Sequence, residues 1–261
     1  SFSYRSIHLL RAEVPGPVVG KLVPKIRQTA RILYFIYIAI TLIEVVFLLI
    51  GKMPLYDSLV HAFGTAGTGG FGIKNDSIAS YNSYLQWVLT IFMLLFGVNF
   101  NLYYFILIKK AKVALKSTEL WFYLGIIAFS TICISANIFP IYETLGTSIK
   151  HAAFQVAAFV TTTGYGTATV NDWPIFSKTL LFLLMFVGGC AGSTAGGFKL
   201  ARVMMLLKNA KRELQRLLHP RSVSVVRFEG KRVDDVTVNS VSAYLTIYTL
   251  FFCIIVFLKL F

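Results

Sequence analysis

Long apolar runs alternate with shorter polar segments along most of the chain. Five of these runs are long enough to supply the roughly 20 helical residues that cross about 30 Å of hydrocarbon. They cover residues 32–50, 84–108, 120–139, 175–207 and 241–260. Their length and low charge predict an all-α integral membrane protein.

The composition agrees with a membrane location. Of the 261 residues, 56% are hydrophobic and only 14% are charged, whereas soluble domains carry about a quarter charged residues. An ordinary soluble enzyme is therefore excluded. No residue pair in the sequence offers a nucleophile with a base, and no glycine loop with a lysine could hold a phosphate, so we do not expect an enzyme.

Positive charge is concentrated in three segments. Residues 1–31, 109–118 and 199–232 hold 20 of the 25 Lys and Arg residues and account for most of the net charge of +14. If the five spans alternate in direction, all three segments lie on one side, which the positive-inside rule identifies as cytoplasmic. The charge therefore predicts orientation in the cell membrane, plasma or inner, rather than binding to nucleic acid.

The three cysteines, Cys133, Cys190 and Cys253, all fall in apolar stretches without a CxxC or Cys/His spacing. This placement indicates buried thiols rather than a disulfide framework or a metal site. We expect no covalently bound cofactor.

Two segments between the spans, 51–83 and 140–174, are too apolar for plain outer loops. Each begins with a run of helical character, at 53–63 and 147–159, and then becomes rich in glycine. Such runs are too short to cross a bilayer and are typical of re-entrant helices. A non-helical chain at membrane depth survives only where protein or water satisfies its carbonyl groups. Both segments therefore predict a pore or cavity.

The same order of elements occurs twice. A spanning helix, a short helix, a glycine-rich loop and a second spanning helix surround Gly70 and, 94 residues later, Gly164. This spacing predicts two repeats of the type M1–pore helix–M2. The first repeat covers 32–118 and the second covers 119–238. Residues 239–261 then have the character of the first helix of a further, truncated unit.

The T-V-G-Y-G pattern of potassium-channel filters is matched at all but one position by Thr162-Thr163-Gly164-Tyr165-Gly166. In such a filter, backbone carbonyls replace the hydration shell of the ion, and glycines permit the unusual dihedral angles. A looser copy occurs in the first repeat. The alternative interpretation is a flexible outer turn. It does not account for the presence of two such loops, each of which follows a short helix. The candidate ion-binding residues are Thr68, Gly69, Gly70, Phe71, Thr162, Thr163, Gly164 and Tyr165.

The fourth apolar run, 175–207, would form a helix of about 50 Å, longer than the bilayer is thick. Its middle is a run of small residues at 188–197, which predicts a break in the helix. Two interpretations are open, close helix packing through every fourth glycine and a mobile intramembrane loop beneath the filter. The length of the run favours the loop. The candidate gating residues are Gly188, Gly189, Gly192, Ser193, Thr194, Gly196, Gly197 and Lys199.

Together, the two filter patterns and the small-residue run resemble the membrane subunit of the Trk/Ktr/HKT superfamily of potassium transporters, in particular its TrkH/TrkG branch. The resemblance covers essentially the whole chain. It implies four M1–pore helix–M2 units around a single pore. Residues 32–118 are then the second unit, and 119–238 are the third, with an interrupted M2 and a basic cytoplasmic connection. Residues 239–261 begin the fourth unit, and 1–31 are the cytoplasmic tail of a preceding one.

The resemblance also implies partners and roles. Gly70 and Gly164 match the filter glycines of the family, and 188–199 matches its gating loop. Potassium is the transported ion, the membrane subunit forms a homodimer surrounded by lipid, and a cytosolic nucleotide-binding ring subunit controls the gate. Two of the four filters lie outside this sequence.

The resulting hypothesis is potassium uptake across the plasma membrane through a carbonyl-lined filter and an intramembrane gate. One alternative is a subunit of a tetrameric potassium channel, which two non-identical filters in one chain argue against. Another is a membrane-embedded scaffold or enzyme whose glycine-rich loops serve only packing. The sequence leaves open potassium versus sodium selectivity and channel-like conduction versus symport.

Five single residues are weaker candidates. Glu44 lies near the outer end of an apolar run, where an interfacial or packing role and a pore role are equally open. Asn99 and Asn101 are expected to hydrogen-bond to neighbouring helices. His61 and His151 are assigned matching places on the two short helices, where a histidine on the helix surface is the favoured interpretation.

Overall fold

The computed structural model describes residues 26–219 and 225–260, which divide into two compact units. The larger unit ends at Lys199 and the smaller one begins at Leu200. Most of the predicted cytoplasmic tail at 1–31 lies outside the described residues, and its last six residues are helical.

The described part of the larger unit contains eight α-helices and one turn of 3-10 helix. Helices α1 to α5 belong to the first repeat, and α6 to α8 belong to the second. In chain order they are α1 (Ile26–Ile50), α2 (Leu55–Ala66), α3 (Ser83–Phe96), α4 (Phe100–Leu107), α5 (Ala111–Leu115), α6 (Thr118–Tyr142), α7 (Leu145–Val160), the 3-10 turn (Val170–Asp172) and α8 (Ile175–Val187).

The two short helices expected in the outer segments are α2 and α7. They contain 12 and 16 residues, which correspond to about 18 and 24 Å of helix, less than the bilayer thickness. Each leads into a non-helical loop that carries the predicted filter residues. The chain then continues through α3 in the first repeat and α8 in the second.

One apolar core joins the two repeats within the larger unit. Helix α7 packs against α6 and α8 of its own repeat and against α3 of the first repeat. Fully buried side chains from both repeats meet there, among them Leu48, Leu89, Phe96 and Phe154. The second short helix is therefore held between the two repeats, which places its filter loop next to that of the first repeat.

The second apolar run, predicted as one span over 84–108, is not a single helix. Helices α3 and α4 replace it, with a bend of 91° between them. Gly97 ends α3 against the Tyr123 hydroxyl, and the Asn99 side chain caps α4 by accepting the Asn101 N–H at 3.0 Å. The prediction was wrong here because hydropathy does not distinguish a capping asparagine from a polar residue inside a span.

The fourth apolar run, 175–207, is interrupted where its small residues predict a break. Helix α8 ends at Val187 and the next helix begins at Leu200. With 13 residues, α8 is about 20 Å long and crosses only part of a bilayer.

The described part of the smaller unit contains two helices and a short hairpin. Its elements are α9 (Leu200–Leu218), β1 (Arg227–Phe228), β2 (Lys231–Arg232) and α10 (Asp235–Leu260). The strands pair antiparallel, with Phe228 opposite Lys231, and the turn between them has positive φ at both of its residues, as a tight hairpin requires. Arg212 Nη1 on α9 donates to Asp235 Oδ1 at 2.6 Å and so joins α9 to the start of α10.

Three described helices are long and apolar enough to cross a membrane, and the bent α3–α4 pair adds a fourth if it counts as one span. The three are Gln28–Ile50, Thr118–Tyr142 and Asp235–Leu258. Large apolar side chains on them are exposed, including Ile43, Phe129 and Phe257. Such exposure is unfavourable in water and expected in lipid.

We expect Gly97→Ala to destabilise the protein by about 1–3 kcal/mol, the usual effect of overpacking. A methyl group at Gly97 would overlap the Tyr123 hydroxyl and approach Thr161 Cγ2 to 2.9 Å. The matched control is Gly125→Ala, because a methyl group there has no atom within 4 Å and alanine favours a helix by roughly 0.5–1 kcal/mol over glycine. Thermal unfolding of the full-length protein in detergent measures both variants. Equal melting temperatures would contradict the packing assigned to Gly97.

Candidate ion filter and gate loop

The two filter loops, residues 68–71 and 162–165, follow the same backbone path. In the first loop φ is positive at Thr68 (49°) and Gly70 (65°), and in the second it is positive at Thr162 (56°) and Gly164 (84°). The residues between these positions do not share the left-handed conformation. A backbone that changes hand at alternate residues directs successive carbonyls to one side, unlike a regular strand, whose carbonyls alternate. This geometry suits a row of carbonyl ligands.

Matching hydrogen bonds fasten each filter loop to the end of its own short helix. The Gly70 N–H donates to the Gly64 carbonyl at 3.3 Å, and the Gly164 N–H donates to the Ala158 carbonyl at 3.1 Å. The carbonyl ends of α2 and α7 lead directly into the loops. Because the C-terminal end of a helix carries partial negative charge, both helix ends favour a cation at the filter.

The two filter loops lie against each other. A methyl group at Gly70 would overlap the carbonyl oxygen of Thr163, whereas a methyl group at Gly164 would meet no atom within 4 Å. Gly70 is therefore required for close approach of the loops as well as for its positive φ. Gly164 borders open space at the level of the filter.

The first repeat also holds the C-terminal end of the second filter loop. The Gly166 N–H donates to Ser77 Oγ at 3.2 Å, and the Ile78 N–H donates to the Gly166 carbonyl at 3.0 Å. The aromatic residues of the two loops differ in their surroundings, since Tyr165 is 1% exposed and Phe71 is 74% exposed. The same motif position is thus buried in one repeat and open in the other.

The gate loop, residues 188–199, is the non-helical segment that follows α8. Its backbone has positive φ at Gly188 (73°), Gly192 (71°), Gly197 (82°) and Lys199 (72°). Gly188 also packs so closely that a methyl group there would overlap the Gly196 carbonyl oxygen. The glycines therefore provide both backbone freedom and close approach, and the two interpretations of the small-residue run do not exclude each other.

The gate loop packs against the bend between α3 and α4. The Cys190 N–H donates to the Gly97 carbonyl at 2.9 Å, and the Phe100 N–H donates to the Gly192 carbonyl at 3.1 Å. These bonds run in opposite directions between the two interrupted helices. Each interruption therefore supplies a partner for the other.

Two charged side chains hold the gate loop from either end. Glu119 Oε1, in the first turn of α6, accepts the Ala191 N–H at 2.7 Å. Lys199 Nζ donates to the carbonyls of Ser193 and Ala195 at 3.0 and 2.7 Å. The sequence did not single out Glu119, because an acidic residue in the first turn of a helix is already explained by the helix dipole.

The gate loop is hydrogen-bonded to both filter loops through equivalent threonines. The Thr68 hydroxyl shares its hydrogen between the Thr194 carbonyl at 3.1 Å and the Gly67 carbonyl at 2.8 Å. Thr162 Oγ1 accepts the Gly196 N–H at 2.8 Å. Each threonine stands where its filter loop leaves the short helix. The gate loop therefore lies across the beginnings of both filter loops.

Glu44, Asn99 and Asn101, three of the weaker candidates, lie inside the larger unit or at a helix end. Glu44 is fully buried near Thr65, which agrees with the packing role left open for it. Asn99 caps α4, and Asn101 is buried at the start of that helix.

The two histidines are not equivalent, because the 94-residue offset places His61 opposite Gln155 and His151 opposite Asp57. The matching places assigned to them were therefore wrong. His61 is fully buried rather than on a helix surface. His151 Nδ1 lies 3.0 Å from Thr167 Oγ1, just beyond the second filter loop.

Comparison with known proteins identifies the family. The TrkH family, described as cation transport protein, matches residues 2–129 and 105–260. The chain belongs to the TrkH family. TrkH is a family of transport proteins rather than of enzymes, and its all-helical membrane fold with channel-like M1–pore helix–M2 units is the fold expected from the sequence.

Two relatives illustrate the similarity to other TrkH family members. The Trk system potassium uptake protein TrkH of Salmonella typhimurium (strain LT2) is 33% identical over 253 residues, which cover 95% of this chain and 52% of the relative. The Trk system potassium uptake protein TrkG of Escherichia coli (strain K12) is 35% identical over 248 residues, 93% of this chain and 51% of the relative.

A solved structure is similar as well. The crystal structure of the potassium transporter TrkH from Vibrio parahaemolyticus matches 95% of this chain and 54% of its own, with a TM-score of 0.85 and 29% sequence identity. The chain spans about half the length of the curated relatives it matches.

Alanine substitutions at the two filter glycines should separate close approach from backbone strain. Gly70→Ala places a methyl group on the Thr163 carbonyl and also strains φ, whereas Gly164→Ala meets only the strain, about 1–2 kcal/mol for a left-handed residue. We expect a clearly larger loss of thermal stability for Gly70→Ala in the full-length protein in detergent. A larger loss for Gly164→Ala would show that the contact between the loops is misplaced.

Proposed function

We propose that the full-length protein takes up potassium across the cell membrane through a pore to which both filter loops contribute. The candidate ligands are the backbone carbonyls of 68–71 and 162–165. Three features support this assignment. The two loops share an alternating backbone, the carbonyl ends of two short helices lead into them, and open space adjoins Gly164. Carbonyls arranged in this way replace the hydration shell that the ion loses on entry.

The observation that carries the proposal is the pair of hydrogen bonds between the gate loop and the filter threonines. A loop bonded to Thr68 and Thr162 crosses the inner ends of both filters, because each short helix descends from the outer side before its filter loop begins. An ion that leaves the filter inward meets this loop. The loop thus acts as a gate, and opening requires these two bonds to break or rearrange.

Lys199 contributes to the closed position of the gate. Its ammonium group binds two gate-loop carbonyls, which ties the end of the loop to its middle. Hydrogen bonds that involve a charged group are worth about 1.5–3 kcal/mol. Losing them makes the loop easier to displace.

The partners follow from family resemblance. We infer that the protein forms a homodimer in the plasma or inner membrane, with its basic segments in the cytoplasm, and that a cytosolic nucleotide-binding ring subunit controls the gate. Sodium remains an alternative substrate, and symport remains an alternative to conduction. In a packing scaffold, by contrast, the space beside Gly164 has no use.

The first test addresses selectivity. We expect Gly164→Ser in the full-length protein to lower the preference for potassium over sodium by roughly tenfold, equivalent to about 1.4 kcal/mol, because the side chain enters the open space that adjoins the filter carbonyls. Thr167→Ser, which keeps the hydroxyl beside His151, should change the ratio much less. Rubidium and sodium uptake in potassium-depleted cells measures the ratio. Equal ratios for wild type and Gly164→Ser would remove the filter assignment.

The second test addresses the gate. Lys199→Met keeps the length of the side chain and removes both ammonium hydrogen bonds, so we expect flux without the cytosolic regulator to rise by about tenfold, or about 1.4 kcal/mol in the gating equilibrium. The matched control is Lys178→Met, which removes an exposed lysine-to-carbonyl bond to Asn171 outside the gate loop. Potassium flux into proteoliposomes measures both. Unchanged flux in Lys199→Met, with unchanged potassium selectivity, would contradict the role of the ammonium group.

A further inference from the structure

The hydroxyl group of Tyr165 binds outside its own repeat. It lies 3.1 Å from the His61 carbonyl, 3.2 Å from the Phe71 carbonyl and 3.4 Å from His61 Nδ1. All three acceptors belong to the first repeat, so one hydroxyl hydrogen faces acceptors on a single neighbouring surface. The two rings, of His61 and Tyr165, meet edge to face with centroids 5.6 Å apart.

The first repeat has a socket that fits this hydroxyl. A methyl group at Gly64 would overlap the Tyr165 hydroxyl oxygen, so glycine at this position in α2 leaves the room that the phenol needs. The socket therefore consists of His61, Gly64 and the Phe71 carbonyl.

A second tyrosine orients His61. Burial, reinforced by the hydrogen bond to Asp57, raises the pKa of Tyr81, so its phenol stays protonated and donates to Asp57 Oδ2 at 2.8 Å. The Tyr81 oxygen can then accept from His61 Nε2, 3.4 Å away. In this tautomer the single hydrogen of the Tyr165 hydroxyl is shared among three acceptors, Nδ1 and the carbonyls of His61 and Phe71.

We propose that Tyr165 in this socket is a positioning residue for ion selectivity in both filter loops, a role that rests on the proposed potassium transport. The contact with the Phe71 carbonyl draws one oxygen of the first filter loop toward the phenol. The same side chain belongs to the second filter loop. One hydroxyl therefore fixes the position of one loop relative to the other at the level where carbonyls face the ion.

The equivalent residue of the first repeat provides a contrast. Phe71 has no hydroxyl group and its ring is largely exposed, so it cannot form the matching bond. Of the two filter aromatics, only Tyr165 can tie the filters together by a hydrogen bond.

Two single variants and the double variant test this contact between the filter loops in the full-length transporter. Tyr165→Phe removes only the hydroxyl, and Gly64→Ala pushes a methyl group against it. We expect each to lower the ratio of rubidium to sodium uptake by about threefold to tenfold, the range for one lost hydrogen bond. The double variant should regain most of the stability that Gly64→Ala loses, because the new methyl group then lies 3.4 Å from the Tyr165 Cζ position and its remaining close contact is the Phe71 carbonyl oxygen at 3.1 Å.

The control is Tyr84→Phe, which loses a hydroxyl-to-carbonyl bond to Phe47 outside the filters and should keep the wild-type ratio. Melting temperatures in detergent separate an effect on filter position from an effect on folding. If Gly64→Ala folds poorly and the double variant regains the stability of Tyr165→Phe, the clash is confirmed.

A wild-type uptake ratio in Tyr165→Phe would overturn the proposal, and so would effects of the two substitutions that simply add. Wild-type protein without rubidium uptake would instead overturn the proposed function.

Discussion

A backbone that leaves the helical path inside a bilayer must find hydrogen-bond partners in protein, because lipid supplies none. Three non-helical segments of the larger unit find such partners within the protein, namely the two filter loops and the gate loop. The filter loops bind to the ends of their own short helices, and the gate loop binds to Thr68 and Thr162 at the start of each filter. Since these segments satisfy one another, the gate loop cannot move without changing the partners of both threonines. The three loops are therefore one hydrogen-bonded structure.

The bend between α3 and α4 also supplies hydrogen-bond partners to the non-helical backbone. In a straight helix over 84–108, the backbone N–H and carbonyl groups would bond to one another within the helix. The gate loop would then have no backbone partner on this helix. The bend instead frees the Gly97 carbonyl for Cys190 and presents the Phe100 N–H to Gly192. Two interrupted helices thus exchange hydrogen bonds, and the unfavourable effect of one interruption is offset by the other.

The sequence predicts the features that depend on local composition. Apolar length identifies the long helices, and the matching loops around Gly70 and Gly164 identify the repeats. The run of small residues marks the break after Val187. Contacts between distant residues are not predictable in this way. The partner of Tyr165 lies 104 residues away, and the group packed closely against Gly97 is the Tyr123 hydroxyl of another helix. Hydropathy contains no information about either contact.

The differences between the repeats reveal how they are related. In a two-fold arrangement, equivalent residues share the same surroundings, because each meets the partner's copy of the same surface. Tyr165 is buried on the first repeat, whereas its equivalent Phe71 is exposed. A methyl group at Gly70 would overlap the second filter loop, whereas one at Gly164 would meet no atom within 4 Å. Such pairs require a head-to-tail contact, in which one face of the first repeat meets a different face of the second. If the same rotation relates each unit to the next, the units continue around an axis. Equivalent residues then have the same surroundings only when the units form a closed ring. The asymmetry of Tyr165 and Phe71 is thus the pattern expected of parallel repeats related by a rotation about an axis.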